Sequence, residues 1–329
     1  MNKKAISHLE RLEICLSGDL PDRTPVALWR HFPVDDQKAE DLAAATLSFQ
    51  KEYDFDLVKV TPASSYCVKD WGVQDVWQGN MEGTRDYIKF AIEHPEDWEK
   101  LPVLDPKKGY LAAQIRCLEL ITKELGPETP VIQTVFSPLS QAKNLVSKQK
   151  LFIHLRRYPE AVKKGLQTIS ESIRRFIEAA IPTGIAGIFY AVQCAQYGLL
   201  SENEYMEFGC PFDLIALEPA SPLFLNMLHL HGEEVMFDLF GDYPISVINW
   251  HDRDTSPNLA EGQQRYKGVV CGGLQRERTM VLSDPETVMA EAQDAIAKTQ
   301  GKRFILGTGC VLPITTPRAN ILAARRSVE

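Results

Sequence analysis

YPEAVKKGLQTISESIRRFIEAAIPTGIAGIFYAV, Tyr158–Val192, contains the repeating unit of the fold. In its first part, Tyr158–Ile181, the residues Val162, Leu166, Ile169, Ile173 and Ile177 recur at spacings of three and four, which gathers them on one face of a helix. Pro159 suits the first helical turn, where its missing N–H leaves no bond unmade. Gly184–Val192 then loses that period and becomes a short apolar, β-rich run. Outward in both directions the same kind of run returns at Pro25–Trp29, Leu57–Thr61, Pro130–Phe136, Leu223–Leu230, Ile245–Trp250, Gly268–Cys271 and Phe304–Leu306, making eight candidate strands. Strands alternating with amphipathic helices imply a parallel sheet, and eight such units close a barrel. The competing architecture is an open doubly wound sheet. No G-x-G-x-x-G follows an early strand, and the glycines cluster late, at Gly272-Gly273 and Gly307–Gly309. The expected fold is therefore a single α/β domain over residues 1–329, a (β/α)8 TIM barrel with a helical N-terminal segment and an insertion between strands two and three. That insertion, Pro62 to Pro130, is too long for one crossover helix. Thr84–His94, Pro95–Glu99 and Tyr110–Leu125 read as its helices, placed to shape or cover the barrel mouth.

The chain of 329 residues is 44% hydrophobic and 24% charged, enough apolar material for one large core. Its formal charge of −8 argues against nucleic acid or an anionic membrane surface as partner and in favour of a small-molecule substrate. Met1-Asn2-Lys3-Lys4 and the following His8-Leu9-Glu10-Arg11-Leu12-Glu13 put charges where a signal peptide has its apolar core. No stretch approaches the roughly 18 consecutive apolar residues of a membrane helix, so a cytoplasmic protein is expected. The seven cysteines, at 15, 67, 117, 194, 210, 271 and 310, form no CxxC pair and read as reduced thiols, mostly core filler.

In such a barrel, functional groups lie just past the C-terminal ends of the strands. Those positions hold Arg30-His31, Thr61 to Ser65, Ser137, Tyr190 to Gln193, His229 to Glu233, Asn249 to Arg253, Gly272 to Leu274 and Gly307 to Cys310. The sharpest feature is His229-Leu230-His231, because residues i and i+2 of a strand face the same side. Two imidazoles with a distant thiolate make a zinc half-site, and Cys310 is the natural third ligand. The alternative is two histidines hydrogen-bonded in a polar barrel mouth and an ordinary buried thiol. His251 and Asp252, followed by Arg253 and Asp254, could do acid/base work or orient a metal-bound histidine, or simply form a charged loop. Glu233 is a further carboxylate within reach. Arg30 could clamp a substrate carboxylate or phosphate, and equally a structural salt bridge. His31, Ser137, Tyr190, Gln193 and Asn249 complete the candidate substrate-binding set; a tyrosine in an apolar run, such as Tyr190, is also ordinary core.

Several segments, in this order, resemble the uroporphyrinogen decarboxylase superfamily over nearly the whole chain: Asp22-Arg23-Thr24-Pro25-Val26; His94-Pro95-Glu96-Asp97-Trp98-Glu99-Lys100-Leu101-Pro102; Pro130-Val131-Ile132 with Phe136-Ser137-Pro138; Cys271-Gly272-Gly273; and Gly309-Cys310 leading to Thr316-Pro317. The resemblance implies a (β/α)8 barrel with a deep pocket at the strand C-termini. It also implies one of two chemistries, cofactor-free decarboxylation of a tetrapyrrole, or methyl transfer between a corrinoid and a zinc-activated thiol. The decarboxylases carry two arginines four residues apart after the first strand, and here Arg30 is followed four residues on by Val34. They also carry an aspartate after the second strand, and here Thr61-Pro62-Ala63-Ser64-Ser65 has no acid before Asp70. The methyltransferases bind zinc through His-x-Cys after strand five and a Cys after strand eight. His229-x-His231 and Cys310 stand at those places, with histidine replacing one cysteine.

The expectation is a zinc-dependent methyltransferase with metal ligands His229, His231 and Cys310, and catalytic roles for His251, Asp252 and Glu233. It acts with a methylcobamide corrinoid as co-substrate, presented by a separate corrinoid protein, since no Asp-x-His-x-x-Gly sequence occurs. A homodimer is allowed. A decarboxylase acting on uroporphyrinogen or a related carboxylated substrate is the alternative. A non-catalytic tetrapyrrole-binding protein is a third reading.

Overall fold

Seven apolar runs of the sequence lie side by side in one curled, all-parallel sheet of a computed structural model that describes residues 6–329. Met1-Asn2-Lys3-Lys4 lie outside the described residues. The strands are β1 (Val58–Val60), β4 (Val131–Phe136), β5 (Gly187–Val192), β6 (Met227–Leu230), β7 (Val247–Trp250), β8 (Val269–Leu274) and β9 (Phe304–Thr308), neighbours in that order. Every residue in them is buried, since helices cover one face and side chains fill the other. The helix Pro159–Ala180 presses Val162, Leu166, Ile169, Ile173 and Ile177 inward, as its spacing requires.

Sequence and structure differ in three places. Pro25–Trp29 is not a strand. It makes one isolated parallel bridge, Val26 to Leu306, with Leu306 N donating to Pro25 O at 2.8 Å and Ala27 N to Leu306 O at 2.9 Å, while on its other side Asp56 N donates to Val26 O at 2.9 Å. Proline has no N–H to offer a ladder, so the segment is wedged between its neighbours with few bonds to each. Several strands begin later than their apolar runs, because the leading residues turn the chain into the sheet; β8 and β9 continue further, through Gly272-Gly273 and Gly307. Thr84–His94, expected to be helical, instead carries β3 (Asp86–Lys89), paired antiparallel with β2 (Gln74–Val76). A hairpin needs its partner strand, and the apolar spacing of Thr84–His94 alone does not reveal Gln74–Val76. Pro95–Lys100 is a 3-10 helix and Gly109–Leu125 an α-helix, close to expectation.

The N-terminal end of the sheet is held by a buried charge cluster. Asp56, fully buried just before β1, accepts from Arg11 Nη1 at 2.7 Å, Arg23 Nη1 at 2.7 Å, Val26 N at 2.8 Å and His8 Nδ1 at 3.0 Å. Arg11 and His8 belong to the helix His8–Ser17, so one carboxylate fastens that helix and the Asp22-Arg23-Thr24-Pro25 segment to the sheet. Burial alone would raise the Asp56 pKa, but His8 and the arginines outweigh it and hold the carboxyl well below its ordinary range. Among the described residues no helix is long and apolar enough to cross a membrane. All seven cysteines are free thiols, Cys210 part-exposed and the others buried.

Candidate metal centre

Parallel register sets His229 of β6 against Asn249 of β7, so two residues further on His231 and His251 leave neighbouring strand ends together. The turn after β9 adds Cys310. Its close approach depends on Gly309, where a Cβ would lie 2.6 Å from Trp250 O and 2.7 Å from the His251 Cα. A side chain there would force the two turns apart. His229, His231, His251 and Cys310 consequently offer ligand atoms that all lie within 4.8 Å of one another. Cys310 Sγ is 3.7 Å from His231 Nδ1, near the separation of about 3.5 Å that S and N occupy on a tetrahedral zinc.

The surroundings set the orientation and protonation of these side chains. Asn249 donates through Nδ2 to Cys271 O at 2.9 Å and Thr308 O at 3.0 Å, which fixes its amide and leaves Oδ1 to accept from His229 Nδ1 at 2.7 Å. The His229 proton is therefore on Nδ1, and Nε2 keeps its lone pair for a metal. His251 Nε2 is buried without a hydrogen-bond partner. Burial pushes the Cys310 thiol up, but three imidazoles, His229 foremost, pull it well below the ordinary thiol value. Burial lowers His229, whereas contact with Cys310 overcomes burial at His251 and raises it. The donor set, one thiolate and three imidazoles, fits zinc.

A cavity of about 260 Å³ opens against this group, and His229, His231 and Cys310 form part of its wall. His31, Gln193 and Thr61 line it as well, together with Glu82, Thr84, Arg85 and Tyr87 from the segment carrying the hairpin. Other expected residues stand elsewhere. Arg30 lies over the Phe32 ring at 5.4 Å and outside this wall. Tyr190 points away from the cavity and donates to the buried Asp213 at 2.7 Å, a carboxylate shared with Tyr205 and Tyr243. Ser137 caps the helix Pro138–Val146, and Asn249 acts on His229. Asp252, whose pKa burial raises to about 7, turns its carboxylate to Gly273 N. Glu233 is exposed and outside the group of four.

The description "Uroporphyrinogen decarboxylase (URO-D)" matches residues 23–329. The chain belongs to the uroporphyrinogen decarboxylase family. It is 22% identical over 248 residues to a methylcobamide:CoM methyltransferase, MtbA, of Methanosarcina mazei, covering 74% of this chain and 70% of that one. It is 25% identical over 255 residues to a uroporphyrinogen decarboxylase of Prochlorococcus marinus, covering 73% and 69%. Among solved structures a methyltransferase from Methanosarcina mazei superposes with a TM-score of 0.84 at 17% identity over 98% of both chains. A B12-independent methionine synthase from Shewanella gives 0.60 at 13% identity over 95% of both. These two likenesses establish shared architecture.

Within this family framework, His251 joins the metal-capable group, where the sequence suggested a separate acid or base. The cavity also holds Lys59 and Lys143, which strand-end reasoning passes over. Lys59 sits inside the run Leu57-Val58-Lys59-Val60, and a lone charge in a doubly buried strand was the available signal. Burial lowers its ammonium to about 7, with Cys310 opposing. Asn249→Leu is expected to leave the fold intact while weakening metal binding about 10–100-fold, the usual cost of losing a histidine's orienting partner. Competition with a chromogenic chelator measures this, and unchanged affinity would remove Asn249 from the centre.

Proposed function

We propose that this protein is a zinc-dependent methyltransferase that moves a methyl group from a methylated corrinoid, presented by a separate corrinoid protein, to a small thiol. The observation that carries the proposal is the position of His229, His231 and Cys310 on the wall of a cavity, where a structural site would be enclosed. His251 would supply a fourth donor to a metal held there while no substrate is bound. A zinc ion held by these residues lowers the pKa of a substrate thiol, so that it is nucleophilic at neutral pH. The protein's own part is to fix the His229 tautomer through Asn249 and to keep Cys310 as thiolate among imidazoles. The backbone bonds of the Pro25–Trp29 segment to Leu306 on one side and Asp56 on the other support an eight-membered barrel around the cavity. The reaction forms a C–S bond as the Co–C bond breaks, with that electron pair remaining on cobalt as cob(I)alamin and the thiol proton released.

The test is anaerobic incubation of zinc-loaded protein with methylcobalamin and a small thiol. Loss of methylcobalamin absorbance with an equal yield of methyl thioether, stopped by chelation, is the expected result. A zinc-retaining protein that leaves methylcobalamin intact with every small thiol offered would overturn it. The decarboxylase reading keeps the support of its curated relatives. A cavity of about 260 Å³, below the roughly 300–1,000 Å³ typical of drug-sized ligands, favours a compact substrate. Rapid conversion of uroporphyrinogen to coproporphyrinogen by the pure protein would reverse that preference.

A further inference from the structure

Asn249 fixes the tautomer of His229, and a second side chain bears on the same imidazole. Parallel register pairs Ala191 of β5 with His229 and Phe189 with Met227, so Phe189 and His229 project from one face of the sheet, one step apart along neighbouring strands. Their rings stack, with centroids 5.2 Å apart and planes inclined by 25°, inside the roughly 4.5–7 Å range in which offset aromatic pairs attract. Phe189 is itself fixed. The Trp29 ring meets it edge-on, with centroids 5.4 Å apart at 66°, and the Lys59 ammonium lies over its ring, 4.4 Å from the centre. A cation over an aromatic face resists rotation of the ring, because turning the positive edge toward it exchanges attraction for repulsion. Trp29, Lys59 and Phe189 come from the Pro25–Trp29 segment, β1 and β5, and all three line the cavity beside His229. A leucine at 189 would fill the same wall, yet it has no flat face for the imidazole and no negative face for the ammonium.

We propose that Phe189 is a positioning residue of the metal centre: held by Trp29 and Lys59, it fixes the plane of the His229 imidazole, so that Nε2 keeps one direction before a metal arrives. This rests on the metal-binding part of the proposed function and not on methyl transfer. The second histidine torsion is broad and roughly two-fold. One hydrogen bond at Nδ1, the 2.7 Å contact with Asn249 Oδ1, narrows it without fixing it. A ring laid against the imidazole removes the remaining rocking, and the two contacts together define both the proton and the plane.

Three variants test this, each compared with the parent in zinc competition against a chromogenic chelator, in the visible spectrum of the Co(II)-loaded protein and in a thermal melt. Phe189→Leu weakens zinc binding about twofold to tenfold, the equivalent of the roughly 0.5–1.5 kcal/mol of an aromatic pair, and alters the Co(II) bands. Phe189→Tyr keeps the ring and restores both. Phe304→Leu removes another buried aromatic, at the start of β9 and outside the cavity wall; it lowers the melting temperature with affinity and bands as in the parent. A Phe189→Leu protein that melts lower with affinity and bands unchanged overturns the proposal, since Phe189 is then ordinary core. So does an equal loss of affinity in Phe304→Leu, or a Phe189→Tyr protein no better than Phe189→Leu. Should Phe189→Leu not fold, Phe189→Met takes its place, its flexible chain filling the space without a flat face. If neither zinc nor Co(II) binds the parent, the zinc reading fails and solvent exchange of the His229 Nδ1 proton decides. Faster exchange in Phe189→Leu than in the parent and in Phe304→Leu supports the positioning role, and an unchanged rate overturns it.

Discussion

Cys310→Ala should strip the centre of its metal and abolish methyl transfer to a thiol while leaving the melting temperature nearly unchanged. Cys310 is the single thiolate of the group, within 4.8 Å of all three imidazole donors. Its loss removes the only anionic ligand, so the fall in affinity exceeds the 10–100-fold that follows loss of an outer partner such as Asn249. The fold is expected not to need the metal. Its seven strands are buried throughout and Cys310 lies in a turn beyond the last of them. Metal content per chain, methylcobalamin demethylation and a thermal melt on the same preparation check the three parts. A variant that unfolds, with activity per folded molecule intact, would make the site structural and end the methyltransferase proposal.

The largest effect on stability is expected at Asp56. Asp56→Asn keeps the shape but leaves Arg11 and Arg23 facing a neutral amide, with Arg11 Nη1 and Arg23 Nη1 each 2.7 Å from the substituted group. Breaking a buried charge cluster by removing one partner costs about 3–5 kcal/mol. With an unfolding entropy of about 2.1 cal/mol/K per residue, that lowers Tm by about 4–7 °C. The pH dependence has a definite sign. Because Asp56 is depressed in the folded protein, its contribution is fully present above the unfolded carboxyl range near pH 4 and is lost as pH falls through its folded value. The parent should therefore lose stability toward acid more steeply than Asp56→Asn, and the two melting curves should converge as pH falls. Parallel Tm-against-pH curves would show that Asp56 is not the group responsible.

How far the site is legible from sequence depends on the distance over which each residue acts. His229 and His231 are visible because two-residue spacing on a strand fixes a common face, and Cys310 because the end of the last strand is a known address. His251 looks like a base beside Asp252, since only the pairing of His229 with Asn249 reveals that His231 and His251 emerge side by side. Tyr190 cannot be told from a cavity residue by its position at a strand end, because one step in register turns it to Asp213 instead. Arg30 attracts attention as a charge after a strand, yet Lys59, hidden within one, faces the cavity. The alternation of helix and strand is likewise local and legible. The hairpin of β2 and β3 is set by pairing across the intervening turn, and neither strand carries enough pattern to predict it alone.

The crowding at Gly309 separates where the centre is from what it can do. Trp250 O and the His251 Cα leave no room for even one carbon there, so the meeting of the two turns is a property of the main chain. That contact involves no side chain at 229, 231, 251 or 310. Position and chemistry are thus separately adjustable. A lineage, or a protein engineer, can retune the electron density and charge of the centre by one side chain at a time while the address of the reaction stays fixed by the backbone.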